Sequence, residues 1–81
     1  MKNSTLTLSD IKVGSSAVVV SLGAMGTLKR RLIDIGITPG VKINVKKVAP
    51  LGDPLQINLR GYELSIRKSE ALNIIVKKGD K

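Results

Sequence analysis

Two runs of strict apolar–polar alternation flank a corner that cannot pair in a sheet. Val41, Ile43 and Val45 alternate with Lys42, Asn44 and Lys46; Leu55, Ile57 and Leu59 alternate with Gln56, Asn58 and Arg60. A period of two puts the apolar residues of each run on one face, so each run predicts a strand with one buried side. Between them, Pro50-Leu51-Gly52-Asp53-Pro54 holds two prolines and a glycine in five residues. Proline has no N–H for a ladder, so this segment predicts a stiff, exposed loop. The alternation slips at Lys47-Val48, which predicts a bulge.

Upstream, Met25, Leu28, Leu32 and Ile35 fall three or four apart and share one face of a predicted helix of about three turns. Thr27 is the expected N-cap. Gly36 stands where the left-handed residue past a helix end belongs, and Ile37 is placed to fold back onto the last turn. Arg30 and Asp34 form an i,i+4 pair of opposite charge. Asp34 opposes the helix dipole, so an ion pair with Arg30, Arg31 or Arg67 is expected. Thr38-Pro39-Gly40 then suits a tight turn, with proline fixing one φ and glycine supplying a positive one.

The remaining elements are short. Leu6 and Leu8 have strand character, and Ser9-Asp10 is placed to cap a turn through Ile11-Lys12-Val13. The run Ala17 to Leu22, with three consecutive valines, predicts a buried strand. Tyr62, Leu64 and Ile66 alternate with Glu63, Ser65 and Arg67, and the short link at Arg60-Gly61 predicts a hairpin. One helical turn from Lys68 to Leu72, capped by Ser69, leads to a last strand from Leu72 to Val76. The expected fold is mainly β: five short strands closed into a small barrel, with the helix over one mouth. Residues 6–77 make one domain, and 1–5 and 78–81 are expected to be flexible ends.

Ile, Leu and Val make up 27 of the 81 residues, enough for a single aliphatic core; Tyr62 is the only aromatic. No cysteine offers a disulfide or a thiolate, and no apolar run approaches the ~18 residues of a membrane span, which points to the cytoplasm. Lys and Arg total 14 against 6 acids, a formal net charge of +8. That excess suits an acidic partner, but it also suits a solvated strand face whose lysines discourage edge pairing.

Catalytic and metal-binding patterns are missing. With neither histidine nor cysteine, the usual ligands for zinc, copper and iron are absent, and the acids show no ligand spacing. No serine or threonine has a histidine base, and no phosphate-binding glycine motif occurs. No catalytic, cofactor or metal residue is therefore assigned, and the chain reads as a binding module rather than an enzyme. Nucleic acid would find charge here, yet a single tyrosine gives little stacking surface and nothing reads bases.

The string Arg31-Leu32-x-x-x-Gly36-Ile37-x-Pro39-Gly40 resembles the FeoA family, the small ferrous iron transport protein A. The likeness continues through Ala49-Pro50-Leu51-Gly52-Asp53-Pro54, Arg60-Gly61 and Leu64-x-Ile66-Arg67-Lys68-x-Glu70-Ala71, from about Leu6 to Val76. It implies an SH3-like barrel with an inserted helical segment. It also implies a cytosolic regulator of FeoB, a membrane ferrous-iron transporter with a cytosolic GTPase domain. Similar domains end the iron regulators of the diphtheria-toxin-repressor type, whose DNA-binding helix-turn-helix this chain does not show.

The leading expectation is a protein that docks on the cytosolic part of a FeoB-type transporter, with no cofactor and no specific nucleic acid. Its expected contact surface combines Met25, Leu28, Arg30 and Arg31 with Leu51, Gly52, Asp53 and Pro54. A stiff loop loses little entropy when bound, and arginine and apolar anchors suit protein interfaces. The same glycines and prolines also serve the fold alone. The alternatives are a basic nucleic-acid-binding barrel and a carrier of ferrous iron; weak homo-oligomers are a further option.

Overall fold

A computed structural model describes residues 6–23 and 26–79. The chain forms β1 (Leu6–Thr7), a 3-10 turn (Leu8–Asp10), β2 (Ser16–Leu22), α1 (Gly26–Asp34), β3 (Lys42–Val48), β4 (Leu55–Leu59), β5 (Tyr62–Ile66), α2 (Lys68–Ala71) and β6 (Ile74–Lys78). The strands make one antiparallel sheet in the order β1-β6-β2-β3-β4-β5.

Alternation builds the centre of the sheet as expected. Ile43 and Val45 of β3 and Leu55, Ile57 and Leu59 of β4 are buried, while Lys42, Asn44, Lys46 and Gln56 face outward. The β3–β4 register pairs Ile43 with Leu59 and Asn44 with Asn58, then shifts between Val45 and Lys47. The bulge therefore falls at Lys46, just before the slip in the pattern, and it sets Val48 opposite the buried Leu55, although Val48 stays partly exposed at the strand end. Arg60 and Gly61 both take positive φ, 51° and 86°, the geometry of a two-residue primed hairpin turn that matches strand twist.

Every strand but the short β1 contributes a buried residue to a single aliphatic cluster, and Leu6 of β1 packs against it. A sheet of six strands can share one core only by bending around it. It does not close: among the described residues β5 and β1 form no ladder, so the expected closed five-stranded barrel is a six-stranded open one. The added strand, β1, is two residues long, because Leu8 leaves the ladder for the 3-10 turn. The Asp10 carboxylate accepts the Thr7 N–H at 2.9 Å, so the turn caps backward onto Thr7 instead of running through Ile11-Lys12-Val13. At the other end, β6 starts at Ile74, not Leu72, and takes in Lys77 and Lys78, paired with Val18 and Ala17.

Helix α1 ends in a complete left-handed cap. The Gly36 N–H donates to the Ile33 carbonyl at 3.0 Å and the Ile37 N–H to the Leu32 carbonyl at 2.9 Å. Gly36 has φ +104°, and Ile37 is fully buried. Leu32 is buried and Leu28 packs against the core, but Ile35 stays partly exposed, since Ile37 occupies the core beyond the helix end. Thr27 is not the cap: α1 begins at Gly26, and Ala24 and Met25 lie outside the described residues. Ser69 is not a cap either. It lies inside α2, where the Glu70 carboxylate reaches back to the Arg67 N–H at 3.0 Å.

A methyl group on Gly36 would sit 3.2 Å from Leu59 Cδ2 and would have to adopt the left-handed conformation. Gly36→Ala is expected to lower unfolding free energy by about 1–2 kcal/mol, read from urea denaturation. An unchanged midpoint would mean that the cap does not hold α1 to the sheet.

Candidate functional site

The end of α1, the rigid loop and the start of α2 meet in a cleft of about 330 Å³ lined by Arg31, Asp53, Pro54, Ser65, Arg67 and Glu70. Each wall has a local cause. Ala49 donates to the Pro54 carbonyl at 3.1 Å and Gly52 to the Ala49 carbonyl at 2.7 Å, which closes the loop on itself. The Asp53 carboxylate accepts the Lys68 N–H at 2.9 Å, so the loop caps α2 across 15 residues of sequence. Asp53 also places its charge at the positive end of that short helix.

Arg31 crosses the cleft to Glu70 at 2.8 Å. The Arg31 side chain is 63% exposed and that of Glu70 only 10%. Glu70 thus carries two tasks: one oxygen caps Arg67, the other holds α1 against α2. It is the only ion pair among the described residues, so neither the Arg30–Asp34 pair nor any ion pair of Asp34 forms. Arg31 is drawn instead to the acid that the fold has already desolvated.

The expected contact residues therefore separate. Arg31, Asp53 and Pro54 line the cleft. Leu51 stands at the loop tip, 92% exposed, with Gly52 turning the chain at φ +85° behind it. Arg30 lies on another face of α1, with Thr27, Ile33 and Asp34 along an open depression. Leu28 points to the core, and Met25 lies outside the described residues. Ser65, Arg67 and Glu70 line the cleft without having been assigned to it from sequence. The spacing of Glu70 three residues after Arg67 was the available signal, weakened because arginine is not a capping residue.

Chemically the cleft is a balanced surface of two cations and two anions. Among the described residues no group of three or more acids, histidines or cysteines comes together in a way that could hold a metal ion. No helix of the described residues is long and apolar enough to cross a membrane.

Comparison with known proteins gives this arrangement a context. The family model for the FeoA domain matches residues 6–78. A Fe(2+) transport protein A/Fe(2+) transporter FeoB fusion protein from Porphyromonas gingivalis is 33% identical over 69 residues, which is 85% of this chain and 8% of that protein's length. The solution structure of a FeoA-like protein from Clostridium acetobutylicum superposes with a TM-score of 0.88 at 34% identity, covering 99% of this chain and 93% of that one. FeoA from Stenotrophomonas maltophilia, an SH3-domain protein crystallised with zinc, superposes with a TM-score of 0.79 at 29% identity, covering 89% of each chain. The fold is thus SH3-like.

Glu70→Ala removes a cap and a buried ion-pair partner, so a loss of about 1–2 kcal/mol is expected. Arg31→Ala, on the exposed side of the same pair, is expected to lose no more than about 1 kcal/mol. Urea denaturation of both variants checks the order; a larger loss for Arg31→Ala would contradict it.

Proposed function

This chain belongs to the FeoA domain family, and we propose that it is an accessory regulator of ferrous iron uptake that docks on the cytosolic part of a FeoB-type transporter. The observation that carries this reading is the relative in which a homologous segment and a FeoB transporter share one polypeptide. Fusion holds two modules at high effective concentration, an arrangement suited to partners that act together.

The docking surface centres on Leu51. A large apolar side chain at 92% exposure gains the most from a partner's pocket, and the proline-braced loop that presents it is already ordered by its bonds to Ala49 and Lys68. Arg67, in the cleft that the same loop walls, is a cation able to meet a carboxylate on the partner, as is the exposed side of Arg31 beside its bond to Glu70. Arg30 offers a further cation on the neighbouring face of α1. The protein acts here by binding. Regulation follows if the partner's GTPase domain has two states and this surface prefers one of them.

Leu51→Asp is expected to weaken binding to the immobilised cytosolic domain of a FeoB-type transporter by about tenfold or more, as surface plasmon resonance would measure. Its unfolding midpoint should stay within about 0.5 kcal/mol of the parent. Undiminished binding would remove the loop from the interface. No binding by the parent, with salt-sensitive binding to single-stranded oligonucleotides instead, would replace the reading altogether.

A further inference from the structure

The outer face of the sheet carries a second depression, of about 370 Å³, at the Arg60-Gly61 end of β3 and β4 rather than at the loop that joins them. Lys42, Asn44, Asn58 and Arg60 line it together with Gly40 and Gly61. The register explains the grouping. Asn44 faces Asn58 directly across β3 and β4, and Lys42 and Arg60 lie one step further on, past the Ile43–Leu59 pair. Because Ile43 and Leu59 point into the core, all four polar side chains point out of it.

Three observations describe this place, and the last sets it apart from an ordinary solvated face. No carboxylate lines it, although Glu63 faces Asn58 across β4 and β5 on the same outer face, and among the described residues Lys42 and Arg60 share with every cation but Arg31 the lack of an ion-pair partner. No hydrogen bond among the described residues engages the carboxamide of Asn44 or Asn58. Arg60, finally, is the single non-glycine residue at positive φ among the described residues. It fills the first central position of a primed hairpin turn, where asparagine, aspartate or glycine fits with least conflict. A strained arginine persists where its side chain has a use there.

We propose that this depression is a binding site for a phosphate monoester. The dianion matches two adjacent cations, the guanidinium fork suits phosphate oxygens, and the two carboxamides add neutral N–H donors for the rest. A phosphodiester brings one charge rather than two, and no aromatic side chain lines the site to stack a base. The monoester has two possible sources, a soluble phosphorylated metabolite or the headgroup of a phosphatidic acid membrane.

The test is a titration of the full chain with glycerol phosphate, followed by nitrogen-15 NMR at constant ionic strength. The side-chain amides of Asn44 and Asn58 and the backbone amides of Gly40 and Gly61 are expected to shift together. Arg60→Asn and Lys42→Gln are each expected to weaken binding by about tenfold or more. Arg60→Asn should leave the thermal midpoint equal or higher, because asparagine relieves the turn; lost binding is then not lost folding. Saturable binding of glycerol phosphate assigns the soluble source. Co-sedimentation with phosphatidic acid–phosphatidylcholine vesicles, abolished by Arg60→Asn, assigns the headgroup. Binding unchanged in both variants, shifts elsewhere on the protein, no response to either probe, or tighter binding of an oligonucleotide than of the monoester would overturn the proposal.

Discussion

Ile37 lies fully buried just beyond the end of α1, and the placement of the helix depends on that burial. The Gly36 cap turns the chain so that Ile37 enters the core while Leu32, at the third position from the helix end, enters beside it. Two buried aliphatic side chains, each worth roughly 1.5–3 kcal/mol when removed from water, thereby anchor an otherwise largely exposed helix. With the helix end fixed, Arg31 stands within reach of Glu70. The cleft is thus a consequence of the core as much as of its own ion pair.

The sequence made the β-structure legible wherever one face is buried. Val41 to Lys46 and Leu55 to Arg60 alternate because a sheet over a single core demands it, and the hairpin at Arg60-Gly61 follows from its length. Elements whose partners are distant were harder to read. The Asp53 bond to Lys68 and the Arg31 bond to Glu70 join segments that no periodicity links. Local rules even pointed the wrong way there: Arg30–Asp34 has ideal helical spacing, yet an exposed pair gains little, and no such ion pair forms. Ser69 looked like a cap because hydroxyls often are, whereas the longer Glu70 side chain reached the free N–H first. Lys78 read as part of a flexible end because composition hid its pairing with Ala17 in the ladder with β2.

The candidate contact residues were legible to a similar degree. Leu51 stood out as an apolar residue in a segment that cannot be core, and it is indeed almost wholly exposed. Arg30 and Arg31 are adjacent in sequence and so could not be told apart by charge. A helix advances about 100° per residue, and this alone sends Arg31 to the cleft and Arg30 to another face.

The acids of the described residues explain why the basic charge has consequences. Asp10 caps Thr7, Asp53 caps Lys68, and Glu70 caps Arg67 while holding Arg31, so three of the few carboxylates are committed to backbone N–H groups. These three belong to the chain turns and α2, not to the outer face of β3 and β4. Placing acids at helix starts stabilises those turns through the dipole and the free N–H groups. It also leaves Lys42 and Arg60 without a counter-charge from that source. Lys42 and Arg60 thus stand on the sheet's outer face with Glu63, opposite Asn58, as the carboxylate nearest to them in register. The same economy of carboxylates that secures the helix ends leaves the residues lining the proposed anion site with cations and no acid among them.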